Sequence, residues 1–170
     1  TLRPDSLYDL LSVIQQDVFI FNSSVRDNIT MFRDFPSGKI ERVIRLAGLE
    51  GLVNARGADC PCGENGNARS GGERQRISIA RSLLRETPVL LVDEATASLD
   101  PVTAFGVTDA ILSLDGLTRI LVTHRLEEAM LRRCDGILVL KNGCLEEFGA
   151  FDELMDRKGY FYSLFMVSQS

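Results

Sequence analysis

An α/β fold built on a largely parallel sheet is the class this sequence predicts, and three observations carry that prediction. Val89-Leu90-Leu91-Val92 is continuously apolar, as suits a strand buried on both faces of a helix-covered parallel sheet. Ile120-Leu121-Val122 is a second buried run. Between them, Asp100-Pro101 marks a helix start, an N-cap acid with proline at the first helical position, and that helix should reach about Leu114. Strand, helix, strand, helix, strand is the order from which a doubly covered sheet is built.

Taken from the N-terminal side, Val13-Ile14 opens a short apolar stretch that ends at Gln15-Gln16-Asp17, and Phe19-Ile20-Phe21 follows. Ser37 can cap a helix whose apolar face is Ile40, Val43, Ile44 and Ala47, with Gly48 placed to end it. Residues 54–72, rich in Gly, Asn and Cys, read as loop. Residues 74–84 have helical spacing, with Ile77, Ala80, Leu83 and Leu84 inward and Arg74, Arg81 and Arg85 outward, and Pro88 stops that helix. After the second strand a helix should run through Leu126, Ala129 and Met130. Residues 137–140, the pair Asn142-Gly143 and residues 144–148 read as a hairpin with a tight turn. Residues 151–167 predict one or two amphipathic helices.

Composition bounds the function. With 170 residues there is room for one core, 45% hydrophobic and 25% charged residues being ordinary for a globular domain. A net charge of -5 argues against a general nucleic-acid binder, which needs a basic face. No run approaches the roughly 20 apolar residues that span a bilayer, and no signal peptide is visible. The chain opens on Thr1 rather than Met, so a piece cut from a longer protein is expected. The four cysteines, Cys60, Cys62, Cys134 and Cys144, lack zinc-site spacing beside a single histidine, and free thiols in a reducing compartment are the expectation.

Four groups could carry chemistry. Asp93 and Glu94 end an apolar strand and so fall at the carboxyl edge of a sheet, where α/β proteins bind ligands. Successive strand residues point opposite ways, so the two acids should do different jobs: one can hold Mg²⁺ through water, the other polarise an attacking water. Many strands also end in acids merely for solubility. Ser70-Gly71-Gly72-Glu73 precedes the Arg74 helix, and free amides at a helix N-terminus form an anion site, although a capped glycine hinge has the same sequence. His124 follows the second strand and reads either as a site residue or as a histidine satisfied at a strand end. Gln16 could ligate an ion or orient water, or be polar surface.

Order and spacing together shift the balance toward the site readings. The run from Ser12 to Phe21, with Ser24-Val25-Arg26-Asp27-Asn28-Ile29 after it, resembles the Q-loop region of the nucleotide-binding domain of ABC transporters of the exporter type. Gly63-Glu64-Asn65-Gly66 resembles its X-loop, and Arg69-Ser70-Gly71-Gly72-Glu73-Arg74-Gln75-Arg76 its signature motif. Leu90 to Glu94 resembles the Walker B strand, Ala97-Ser98-Leu99-Asp100 the D-loop, and Thr123-His124-Arg125 the switch histidine. The resemblance covers essentially the whole chain. It implies a partial P-loop NTPase parallel sheet with a helical signature subdomain, the Q-loop and signature part spanning about 15–87 and the Walker B, D-loop and switch part about 88–170.

The resemblance also implies roles. Asp93 would support Mg²⁺, Glu94 would be the catalytic base, His124 would contact the γ-phosphate of ATP, and Gln16 would sense Mg²⁺ and the attacking water. Ser70, Gly71 and Gly72, with Glu73 beside them, would bind the ATP of a second nucleotide-binding domain in a head-to-tail dimer, with Asp100 bridging the sites. Residues 19–28 and the loop around Glu64 would lie near the coupling helices of a transmembrane domain, at the cytoplasmic face of the membrane.

Two residues depart from the family pattern: Arg69 stands where Leu is usual and Glu73 where Gln is usual. No G-x-x-x-x-G-K-[ST] occurs; before Gly38-Lys39, Arg33 holds the first glycine's place and Ile40 that of Ser or Thr. The expectation is the C-terminal portion of such a domain, lacking the Walker A loop and inactive alone, whose parent couples ATP hydrolysis to export. Rival classes are a docking module and the ATPase head of a chromosome-maintenance or repair protein, though the coiled-coil heptads of the latter are not seen.

Overall fold

The structure is a computed structural model that describes residues 9–96 and 98–169. Ala97, the first D-loop residue, lies outside the described residues. The chain forms two compact units, Thr1–Val122 and Thr123–Ser170.

The first unit holds β1 (Leu11–Ile14), α1 (Val25–Thr30), α2 (Ser37–Leu46), α3 (Glu50–Arg56), α4 (Gly71–Leu84), β2 (Val89–Asp93), α5 (Pro101–Leu112) and β3 (Thr118–Val122). Its sheet is parallel throughout, in the order β1-β2-β3, with Ile14 beside Val92 and Asp93 beside Val122. The expected α/β class with a parallel sheet is therefore what forms. One sheet face is buried: Ser12, Ile14, Leu90 and Val92 are nearly inaccessible. Arg119 on that face donates to the carbonyls of Ile111, Leu112 and Leu114 at 3.2, 2.6 and 2.8 Å and so satisfies the end of α5. The other face is open. Ile120 and Val122 are 48% and 49% exposed, so β3 is not the doubly buried strand expected, and the helices cover one side only.

Helix α4 is the centre of this unit, packing against α1, α2 and β1. Its start lies three residues earlier than the apolar spacing predicts, because Ser70 and Glu73 form a capping box. Arg81, expected outward, is turned inward and donates to carbonyls of the 19–28 segment. Helix α2 begins at Ser37 with Pro36 at the N-cap and no side-chain cap, so Ser37 is the first helical residue rather than its cap. Its end matches expectation: Gly48 has φ +65°, its N–H donates to Arg45, and the Leu49 N–H donates back to Ile44, which closes a Schellman motif. The expected loop over residues 54–72 is shorter than predicted, since residues 54–56 complete α3 and a 3-10 turn spans Glu64–Gly66.

The second unit holds α6 (Glu128–Leu131), β4 (Ile137–Lys141), β5 (Cys144–Gly149), α7 (Phe151–Arg157) and α8 (Tyr160–Ser168). The hairpin forms as expected, with Asn142 and Gly143 both at positive φ as a type I′ turn requires. The helix after His124 is a single turn that excludes Leu126. Phe151, Phe161 and Phe165 pack together, with Phe151 edge-on to both partners at 6.0 and 5.2 Å, around buried Leu131, Val139 and Leu154. The Glu147 carboxylate accepts the Phe161 N–H at 2.6 Å, which caps the first turn of α8 from β5. Among the described residues no helix is long and apolar enough to cross a membrane.

Candidate functional site

Parallel register aligns the carboxyl ends of the strands. Ile14 ends β1 beside Val92, and Asp93 ends β2 beside Val122, so Gln16, Asp93 and Glu94 all leave the sheet at one edge. Asp93 is exposed and makes no ion pair among the described residues, which leaves its oxygens open as hard ligands. Glu94 lies outside the strand: its φ is +47° and its N–H donates to the Val122 carbonyl at 3.1 Å. Strand alternation therefore does not separate the two acids. A left-handed turn does, and that conformation is strained for a glutamate. Among the described residues no three His, Cys, Asp or Glu side chains converge as a metal cage. A single exposed aspartate suits Mg²⁺, which is commonly held by one or two carboxylates together with phosphate oxygens and water.

Gln16 reaches the same region by a different support. Gln75, buried in α4, donates to the Gln15 carbonyl at 3.0 Å, and Ser82 donates to the Val13 carbonyl at 3.1 Å. These two bonds fix the end of β1 along α4. Gln16 and Gly71 line one open cleft of about 500 Å³, with Asp17, Arg74, Gln75 and Ser98 among its walls.

At the start of α4 the Ser70 Oγ accepts the Glu73 N–H at 3.1 Å, and the Glu73 carboxylate accepts the Ser70 N–H at 2.8 Å. The pattern Ser-x-x-Glu signals this box in the sequence. Gly71 is exposed, and Gly72 lies under the D-loop: a Cβ on it would stand 3.4 Å from Leu99 Cδ2. Arg69 is buried and donates through Nη2 to the Pro61 carbonyl at 3.0 Å, while its Nε and Nη1 have no partner among the described residues. An arginine in the place of the usual leucine thus fills the space under the signature loop.

Asp100 accepts the Thr103 N–H at 3.0 Å as N-cap of α5. Hydrogen bonding from Thr103, side chain first and backbone second, holds its carboxyl below the ordinary value. His124 is in the second unit, exposed, two residues past the end of β3. The Thr123 hydroxyl accepts the Arg125 N–H at 2.9 Å and closes a tight turn across it. Among the described residues no disulfide joins Cys60, Cys62, Cys134 or Cys144; burial pushes the Cys62 thiol up, against the opposing pull of Arg69.

Sequence reasoning missed the supports of this region. Arg81 donates to the Asn28 carbonyl at 2.8 Å, the Phe19 carbonyl at 3.1 Å and Asn28 Oδ1 at 3.3 Å. Burial pulls its guanidinium below the ordinary value. Nearby, Phe19 and Phe32 are each 61% exposed and stand edge-on to Phe21 at 4.9 and 5.4 Å.

The chain is similar to known proteins over nearly its whole length. Residues 4–97 match the family model described as "ABC transporter". The chain is 38% identical to the beta-(1-->2)glucan export ATP-binding/permease protein NdvA of Bradyrhizobium diazoefficiens, over 96% of this chain and 28% of that protein. It is 39% identical to the mycobactin import ATP-binding/permease protein IrtB of Mycolicibacterium thermoresistibile, over 100% and 30%. The ATP-dependent lipid A-core flippase of Neisseria meningitidis is 34% identical, over 98% and 27%. A solved bacterial Atm1-family ABC exporter with ATP bound aligns at 31% identity with a TM-score of 0.90, over 98% of this chain and 30% of that one. The chain thus spans less than a third of the length of the relatives it matches. By the match of residues 4–97 and the identity to these relatives over nearly its whole length, the chain belongs to the ABC transporter family, as part of an ATP-binding domain of the exporter type.

Proposed function

We propose that these residues form the hydrolysis and signature parts of an ATPase that powers membrane export. The observation that carries the reading is the register that brings Gln16, Asp93 and Glu94 to one sheet edge. Glu94 takes the proton of the attacking water, His124 contacts the γ-phosphate, and Gln16 orients the water. Mg²⁺ at Asp93 would supply neutralisation of phosphate charge. Ser70, Gly71 and Gly72, with Glu73 holding the helix start, receive the phosphate of an ATP bound to a second nucleotide-binding domain in a head-to-tail dimer, and Asp100 bridges the two sites. With no G-x-x-x-x-G-K-[ST] in its 170 residues, this chain alone does not hydrolyse ATP.

The transmembrane partner docks at the cytoplasmic face on Phe19 and Phe32, whose exposed rings suit an interface anchor. One relative is named for glucan export and another for mycobactin import, so cargo and direction belong to the permease part rather than to these residues.

The test is Glu94→Gln in the full-length protein, which keeps shape and removes the base. Phosphate release should fall by about 100-fold or more while bound ATP is retained. A rate within about twofold of the unmodified protein would remove Glu94 from the catalytic role.

A further inference from the structure

The exposed aromatic surface and the signature loop lie at two ends of one supporting lattice. Arg81 stands 11 residues beyond the N-cap Ser70, about 16 Å along α4. Its fork takes acceptors from both ends of one segment, the Phe19 carbonyl and the Asn28 carbonyl, together with Asn28 Oδ1. Asn28 is fully buried and closes that segment on itself: its Nδ2 donates to the Phe21 and Ser24 carbonyls at 3.1 and 2.9 Å, and its Oδ1 accepts the Phe21 N–H at 2.8 Å. The Arg81 guanidinium also lies 5.9 Å from the centroid of the Phe21 ring, the ring against which exposed Phe19 and Phe32 rest.

Apolar packing alone does not set the sliding position of one element on another. A planar donor fork on fixed carbonyls does, because each bond is lost within a few tenths of an ångström and a desolvated guanidinium left unpaired is costly. The 19–28 segment and α4 are therefore held in one register, and a push on the rings displaces the helix along with the loop at its start.

We propose that Arg81, acting with Asn28, is the positioning residue that couples the Phe19–Phe21–Phe32 surface to Ser70, Gly71 and Gly72. The inference rests on the reading that this surface receives the transmembrane partner. Arg81 touches neither nucleotide nor partner and acts only through the lattice.

A double-mutant cycle on the full-length protein, in nanodiscs of phosphatidylethanolamine and phosphatidylglycerol with Mg-ATP as the only ligand, tests it. Phe32→Ala alone should lower kcat about fivefold while KM stays within about twofold. Arg81→Lys keeps the charge but cannot span the acceptors. In that background Phe32→Ala should change kcat by less than about twofold, because the connection is already cut. Effects that multiply independently would overturn the proposal and leave the docking surface standing. An inert Phe32→Ala in the otherwise unmodified protein would overturn the docking reading, and this inference with it. Should Arg81→Lys fail to assemble, Arg81→Gln replaces it in the same cycle: its shorter amide cannot span the Phe19 and Asn28 carbonyls and leaves no unpaired charge, and the same non-additivity is expected.

Discussion

Glu94 and Glu73 are both glutamates in the proposed site, and their local geometry sets them apart. Glu94 sits at φ +47° just past β2, its side chain delivered by a strained turn. Glu73 is folded back onto the Ser70 N–H at 2.8 Å, so its carboxylate sits where an anion would approach the helix start. Glutamine can make the same reciprocal bond without the charge. Glu73→Gln in the full-length protein should therefore keep the helix start and lower the KM for Mg-ATP roughly two- to fivefold, the effect of one charge at a helix terminus. Steady-state kinetics decide it, and an unchanged KM would mean that the carboxylate does not oppose the phosphate. The candidate residues could be proposed from the sequence because they are contiguous or fixed by spacing, and the register places Gln16, Asp93 and Glu94 at one sheet edge. Arg81 was not: 53 residues separate it from Asn28, and a polar stripe at helical spacing gives no sign of a distant carbonyl waiting for it.

At the scale of elements, what the sequence concealed was mostly caps and short helices. Helix α3 has Leu49 at its N-cap without a side-chain bond and buries little beyond Leu52, so neither start nor stripe was readable. The ends of α2 and α5 were readable because Gly48 and Asp100-Pro101 each satisfy backbone groups by a local mechanism. Helix α1 is the best capped of the short elements: Ser24 accepts the Asp27 N–H at 3.0 Å, and Asp27 accepts from both the Ser23 hydroxyl and the Ser24 N–H. Hydrogen bonds from the Ser23 and Ser24 hydroxyls hold the Asp27 carboxyl below its ordinary value of 3.8. A depressed carboxyl stabilises the fold above its ordinary value, and that contribution is lost as pH falls from there through the folded-state value. Ser24→Ala should cost about 1 kcal/mol locally and speed amide exchange at Asp27 and Asn28 at neutral pH. The difference from the unmodified protein should shrink as the acid protonates. Equal exchange at neutral pH would show that the box contributes nothing.

For the whole molecule, the fold class was legible from two apolar strands and the helix between them, because a parallel sheet imposes that order. The division after Val122 was not legible, since β3 runs straight into the Thr123 turn with no break in the sequence to mark it. In the assembly proposed above, Ser70-Gly71-Gly72 serves the nucleotide of a second nucleotide-binding domain. Mixed dimers of the full-length protein, isolated through two different tags, test it directly. With Ser70→Arg on one subunit and Glu94→Gln on the other, one composite site keeps both intact parts, and hydrolysis should remain at about half the unmodified rate. With both substitutions on one subunit and an unmodified partner, each site loses one part and hydrolysis should nearly vanish. The opposite pattern, activity when both changes share a subunit and none when they are split, would mean that the signature acts within its own subunit, and would contradict the account.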